Sequence, residues 1–371
     1  MRLSTFTVKD LSSKKMKDIE TLTQEAIALL KSLIETPSFS SEEEQTAILI
    51  ENWFTQNSIP FERENNNIWA FNQHFDKSKP TLLLNSHHDT VRPNQGYTND
   101  PFEAIEKDGK LYGLGSNDAG GCLVSLMATF VYFYAKENLS HNIVIVASAE
   151  EESSGKKGLN SVLKHLPELE CAIVGEPTLM QLAVAEKGLL VLDVVVKGTA
   201  SHAAHNNPDN PIYNAMPVIQ WFNSYQFEKV SEVLGPVKMT VTQINAGKQH
   251  NVVPAECHLV VDIRVNDCYN NTEILETVRA NVKAEVTPRS MHLNASSIPI
   301  SHGLVQAGIA LGRTTYGSPT LSDQSVLYCK SLKLGPGESL RSHSADEFIF
   351  VNEIEEGIQL YIKILGDFLK N

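Results

Sequence analysis

Three short apolar runs, TLLL at 81–84, NIVIVASA at 142–149 and CAIV at 171–174, carry no in–out alternation. A strand with one wet face alternates apolar and polar side chains, whereas a strand buried on both faces does not. Between the first two runs lies LVSLMATFVYFYA (123–135), too long for a strand and suited to a buried helix. Helical spacing also runs from Ile19 to Ile34, where Leu22, Ala26, Leu29, Leu30 and Leu33 share one face ahead of PSFS, and returns at Asn352 to Leu369. A helix from Ser41 to Gln56 opens with Ser41 and Glu44 at the spacing of a capping box. Helices alternating with such strands predict an α/β fold, a mostly parallel sheet with helices on both faces.

From about Glu186 the pattern changes. LLVLDVVVKG, a helical PIYNAMPVIQWFNSY, the strands VKMTVTQINAG and ECHLVVDIRV, and a helix over NTEILETVRANVKAEV follow in turn. This β-α-β-β-α order predicts a separate α+β domain with an antiparallel sheet and helices on one face. The 371-residue length suits two domains. The expected division is 1–185 and 292–371 as one domain, with 186–291 inserted into it.

A net charge of −13 argues against nucleic-acid or anionic-membrane partners, which select basic surfaces. Five cysteines, odd in number and without a CxxC pair, fit reduced thiols of a cytoplasmic protein. No window approaches 18 apolar residues, so no membrane span is expected, and the first twenty residues lack the apolar stretch of a secretory signal. Residues 1–15 have the composition of a polar arm, with Met16 an alternative start.

The chemistry lies in five segments: SHHDTV (86–91), GSNDAGG (115–121), SAEEESSG (148–155), GEPT (175–178) and RSHSADEF (341–348). In the first, a strand delivers His87, and Asp89 two positions on points the same way, placed to hydrogen-bond the other ring nitrogen of a ligating imidazole; His88 faces away. Asp118 sits among glycines, where a carboxylate could bridge two cations or simply cap a helix. Glu150, Glu151 and Glu152 follow a buried strand, where three carboxylates repel unless cations compensate. Glu176 is held by the following proline, and His343 stands in a serine-flanked loop. Each segment alone has an ordinary structural explanation. Together they supply oxygen ligands with one imidazole per metal, suited to Zn²⁺, Co²⁺ or Mn²⁺.

In this order and spacing the segments resemble the dinuclear-zinc family of aminoacylases, carboxypeptidases and dipeptidases, from about Ile19 to the end of the chain. The resemblance implies a zinc-exopeptidase-like catalytic domain carrying an inserted lid and dimerisation domain, hence a homodimer. It implies two divalent metal ions, one held by His87, Asp118 and Glu176, the other by Asp118, Glu152 and His343. Glu151 falls at the general-base position. GTASH brings His202 to the position of a histidine that reaches the neighbouring subunit's site to stabilise the oxyanion, with His205 a second candidate. Asn251 and Arg264 match substrate-contacting positions, although a strand arginine with a salt-bridge partner explains Arg264 equally well. Glu150, Asn117 and His88 depart from the usual residues without removing a ligand.

The implied reaction is hydrolysis of an amide bond on an N-acylated amino acid. HAAHNNPDNPIYNA (202–215) and the chain length are most similar to the acetylornithine deacetylases, implying N-acetylornithine as substrate. Succinyl-diaminopimelate, acylated citrulline or lysine precursors, and small dipeptides are the alternatives. A non-catalytic metal-binding protein would have no need of Glu151. No G-x-S-x-G elbow supports serine hydrolysis, and GLGSNDAGG is neither a dinucleotide fingerprint nor a P-loop.

Overall fold

The computed structural model describes residues 17–370; the expected polar arm at 1–15 lies outside them. A nine-stranded sheet forms the body. Across it run Glu62–Glu64, Asn67–Phe71, Asn142–Ser148, Thr81–His87, Leu169–Val174, Lys330–Lys333 and Leu182–Glu186, the last also pairing with Ser296–Ser297 and Thr315–Ser318. Thr81–His87 is parallel to both its neighbours, Asn142–Ser148 and Leu169–Val174. Antiparallel pairs lie toward the edges.

The unalternating strands have a direct physical cause. Leu82, Leu84, Ile143 and Ile145 pack into a large core with the helices Ile19–Ile34, Gly121–Tyr134 and Val351–Phe368, while Leu83, Val144 and Val146 point into a smaller core on the other face. That second face is closed by the short helix Leu159–Val162 and by Val326 and Leu327, rather than by long helices. Side chains at successive positions are apolar because both directions are dry.

Gly188–Lys197 leaves this body and forms a second, wholly antiparallel sheet in the order Lys238–Ala246, Glu256–Val265, Gly188–Lys197, Glu285–Pro288. Leu190, Leu192, Val194 and Val196 alternate inward against the helices Pro211–Ser224 and Asn271–Asn281, making a core of their own. Two expectations are corrected. The helix over 271–286 stops at Asn281, where Val282 turns extended, and Glu285–Pro288 becomes a fourth strand with Val286 opposite Val194. The second helix begins at Glu44, not Ser41. Ser41 lies at φ 73° and its hydroxyl is committed to Glu150 Oε1 at 2.9 Å, so no capping box forms there. None of the five cysteines is paired, and no helix among the described residues is long and apolar enough to cross a membrane.

Candidate metal centre

Three neighbouring parallel strands point their carboxyl ends at one spot, the place where loops of an open α/β sheet build sites. Thr81–His87 ends on His87, whose register partner is Ser148; the turn after Ser148 carries Glu150, Glu151 and Glu152. Leu169–Val174 runs through Gly175 into Glu176. Gly175 keeps this end tight, since a Cβ there would meet Leu126 Cδ1 at 2.7 Å.

His87 is buried at 1% exposure. Its Nε2 faces Asp118 Oδ1 at 3.4 Å, Glu176 Oε1 at 3.8 Å and Glu151 Oε2 at 3.9 Å. Its Nδ1 lies 3.0 Å from the Asp89 carbonyl and 3.3 Å from Asp89 Oδ1, which leaves Nε2 to point at the carboxylates. His88 turns the other way, with Nδ1 2.9 Å from the Thr46 hydroxyl and Nε2 2.8 Å from the Asn66 carbonyl. Asp89 does more than orient an imidazole. Its Oδ1 accepts the Glu151 N–H and its Oδ2 the Glu152 N–H, each at 3.1 Å, and Ser40 donates to Oδ2 at 2.6 Å. One buried carboxylate therefore fixes both the histidine and the backbone of the glutamate turn.

Asp118 sits in the irregular turn Ser116–Gly120, with Gly115 at φ 75° and non-helical dihedrals at Asp118 and Ala119, just before Gly121–Tyr134. A Cβ on Gly120 would strike the Gly115 carbonyl at 2.5 Å, so this turn requires glycine. From the far end of the chain His343, at φ 57°, brings Nε2 to 3.0 Å from both Glu152 oxygens and 3.6 Å from Asp118 Oδ2. It sits on the rim, its side chain 52% exposed.

The electrostatics of this cluster are those of an anionic nest. Burial, with Asp118 next, pushes Glu176 up to about 8, and burial backed by Glu176 raises Glu151 well above the carboxylate range. Burial works against the charged form of His87, yet hydrogen bonds to Asp118 and Asp89 hold it well above its ordinary value. The hydrogen bond to Glu152 lifts His343 to about 9. Among the described residues no lysine or arginine forms an ion pair with Asp118, Glu151, Glu152 or Glu176. His87 and Lys333 pull Glu176 down without offsetting burial and the Asp118 charge. Ligand atoms of His87, Asp118 and Glu152 lie within 4.8 Å of one another, as do those of His87, Glu151 and Glu176. Two imidazoles and four carboxylates at this spacing fit a pair of divalent cations.

These residues open onto a cavity of about 440 Å³ whose far wall is Tyr316, Ser318, Pro319, Thr320, Leu321 and Lys333. The inserted sheet contributes no lining residue to it. His202 lies on the short strand Ser201–His202, which pairs with Val252–Val253; it is exposed, and its Nδ1 accepts the Ala204 N–H. His205 is 5.7 Å away, ring to ring, and the Asn251 carbonyl accepts the Ala203 N–H, so His202, His205 and Asn251 share one exposed patch. Arg264 is engaged by Asp262, with Nε to Oδ1 at 2.9 Å and Nη2 to Oδ2 at 3.2 Å.

Two further carboxylates escaped the sequence reading. Glu347, buried behind Asp118, accepts the Asn117 and Asp118 N–H groups on Oε1 at 2.8 and 2.9 Å, and burial followed by the nearby Asp118 charge pushes it up to about 8. It stands in the segment that carries His343, so its signal was present as the acidic pair after the histidine. Asp323, buried behind Glu151, accepts the Ser148 hydroxyl at 2.6 Å and is raised by burial to about 6. Nothing in SDQS marks it.

The profile of peptidase family M20/M25/M40 matches residues 83–367. The acetylornithine deacetylase of Proteus mirabilis (strain HI4320) is 27% identical across 92% of this chain and 96% of its own. The succinyl-diaminopimelate desuccinylase of Acidiphilium cryptum (strain JF-5) is 25% identical across 77% of this chain and 82% of its own. Among solved structures, the YXEP protein of Bacillus subtilis, a dinuclear metal binding peptidase from the M20 family, superposes with a TM-score of 0.72 at 16% identity, covering 94% of this chain and 99% of that one. Aminopeptidase PepT of Bacillus cereus gives the same TM-score at 17% identity, over 96% and 100%. The chain belongs to peptidase family M20/M25/M40 and is a metal-dependent hydrolase of amide bonds.

Proposed function

We propose that this enzyme removes the acyl group of an N-acylated amino acid, with N-acetylornithine the substrate and ornithine and acetate the products. The observation that supports the reading is the position of Glu151, partly buried and lining the cavity, with its Oε2 3.9 Å from His87 Nε2 and its carboxylate grouped with His87 and Glu176. The choice of acyl group is supported by the deacetylase relative, which aligns over nearly the whole of both chains. In this reading His87, Asp118 and Glu176 hold one zinc ion, and Asp118, Glu152 and His343 the other. When bound, the two cations supply Lewis-acid polarisation of the scissile carbonyl and acidify the attacking water. Glu151 takes the proton from that water and delivers it to the departing nitrogen. Asp89 keeps His87 in one tautomer and holds the Glu151–Glu152 backbone against the strand end.

Residues 186–291 form the lid and dimerisation domain in this proposal, and the enzyme works in the cytoplasm as a homodimer. His202 of each subunit reaches the partner's cavity, where its N–H stabilises negative charge on the carbonyl oxygen. Asn251, on the same patch, contacts the substrate. Arg264 reaches a substrate carboxylate by exchanging Asp262 for it, a like-for-like swap of bidentate partner.

The test is a panel. Protein stripped of metal and reloaded with Zn²⁺ or Co²⁺ is assayed on N-acetyl and N-succinyl amino acids and on dipeptides, with N-acetylornithine expected to give the highest kcat/KM. Glu151→Ala is expected to lower kcat by about 10²–10⁴ while two metals remain bound. Full activity in that variant overturns the assignment of the base, and preference for a succinyl substrate overturns that of the acyl group.

A further inference from the structure

At the point where the chain leaves the main sheet, two fully buried charges meet outside the metal cluster. Glu186 is the last residue of Leu182–Glu186 and has no exposed surface; Lys333, the last residue of Lys330–Lys333, is 3% exposed. Their ion pair, Nζ to Oε2, is 2.8 Å. Each partner also holds one stretch of the cavity wall. Lys333 Nζ donates to the Thr320 carbonyl at 3.0 Å, the Thr320 hydroxyl at 3.2 Å and the Ser318 hydroxyl at 3.3 Å. Glu186 accepts the Ser322 hydroxyl on Oε2 at 2.8 Å and the Ser322 N–H on Oε1 at 3.2 Å. The next residue, Lys187, donates its N–H to the Ser318 carbonyl at 3.3 Å.

The turn also bonds to itself, with the Ser318 and Thr320 hydroxyls 3.0 Å apart and the Thr320 N–H donating to Ser318 Oγ at 3.3 Å, and Lys333 Nζ ties the same hydroxyls to the sheet. Pro319, Thr320 and Leu321 belong to no helix or strand, and Ser318 and Thr320 face the same cavity as Glu151 and Glu176. Lys333 stands in the cavity wall at 3% exposure, its three N–H donors shared among a carboxylate and three oxygens of one turn. Its role is to hold those oxygens. The serine and threonine of that turn, in contrast, show their remaining surface to the cavity.

We infer that Lys333 and Glu186 are positioning residues that set the Ser318–Ser322 wall of the cavity, and through it the fit of the substrate, without taking part in metal binding or proton transfer. This rests on the reading of the cavity as the place where the substrate is held. The arrangement separates two functions in space. His87 and the carboxylates face the reacting bond from the strand ends, while the wall opposite is fixed by a clamp attached to the crossing into the second sheet.

The experiment uses the metal-loaded full chain carrying Lys333→Met with Glu186→Leu, which removes both buried charges together and avoids stranding either one. Two measurements are made. In hydrogen exchange, the Lys187, Thr320 and Ser322 amides are expected to exchange at least about tenfold faster, with the His87 and Glu176 segments unchanged. In kinetics, KM for the preferred N-acyl amino acid is expected to rise about tenfold or more with kcat within about threefold and metal content unaltered, and the preference between short and long acyl groups to narrow. Lys333→Arg, which keeps the charge, is expected to recover most of the KM. Unchanged exchange at those amides, or unchanged KM and acyl preference in a folded double variant, overturns the inference, as does a fall in kcat alone. If the unaltered enzyme hydrolyses no N-acyl amino acid, the proposed function fails while the exchange measurement still decides the clamp. Should the double variant not fold, Glu186→Gln and Lys333→Arg are measured in the same two ways.

Discussion

Asp89 carries more of the site than its neighbours. Three donors converge on its two oxygens, Glu151 N–H on one and Glu152 N–H with the Ser40 hydroxyl on the other. Asp89→Asn preserves the shape but must turn an NH₂ toward one of them, leaving buried donors face to face. We expect metal affinity to fall about ten- to a hundredfold in a chelator competition, with about 1–3 kcal/mol lost from stability in denaturant unfolding. His88 supplies a test of a different kind. Burial holds its imidazole at about 4, below its ordinary 6.5. The folded state therefore binds this proton less readily than the unfolded chain, so the contribution of neutral His88 is complete above pH 6.5 and is lost as pH falls toward 4. Against His88→Gln, which does not titrate, the stability difference is expected to shift by up to about 3 kcal/mol over that window in favour of the variant. A difference independent of pH would show that His88 does not titrate there. At this scale the sequence was most legible where motif and strand periodicity agree, as in the opposite facing of His87 and His88. It was silent on Asp323, because burial of a loop aspartate depends on what packs over it.

The elements were read well where their patterns are long. Ile19–Ile34 has the bounds its apolar spacing sets, and the unalternating runs became strands with two dry faces. The errors fall at ends, where local chemistry competes. Ser41 had the right spacing to cap a helix, but its hydroxyl found Glu150, 109 residues away, a partner invisible to local spacing. Continuous helical propensity through Val282 to Val286 lost to an open edge of the second sheet, where two β-branched residues pair better than they coil. Val351–Phe368 is tied to the site by Tyr361, whose buried hydroxyl donates to the Leu334 carbonyl. The next residue, Gly335, has no room for a side chain: a Cβ would meet the Glu176 carbonyl at 2.5 Å. Tyr361→Phe strands that carbonyl and is expected to cost about 1–3 kcal/mol in thermal or denaturant unfolding, with metal binding retained.

At the scale of the whole molecule, the second sheet presents Lys238–Ala246 as an open, largely exposed edge, and the helix beside it exposes Tyr213 at 68% and Met216 at 64%. An open edge and an adjacent apolar patch are the features of a surface that pairs with a copy of itself. On the proposed homodimer, Tyr213→Lys combined with Met216→Glu is expected to give a monomer by sedimentation that keeps its metals and loses activity, since His202 would then have no partner cavity to reach. Mixed dimers give the sharper measurement. Equal amounts of Glu151→Gln and His202→Ala chains, each inactive alone, should recover about a quarter of full activity, since half the dimers carry one complete site of two. No recovery after verified mixing would place His202 outside the partner's site.

The chain leaves the main sheet at Glu186 and returns beside it at Ser296, and these two residues are register partners on adjacent strands. The exit and the re-entry are thus one rung apart. A unit of roughly a hundred residues with its own core is plugged into the hydrolase through a two-pin socket. Such a unit joins the main sheet at one rung, so its length and loops can change while the strand ends that carry the ligands, and Glu186 at the exit, stay where they are.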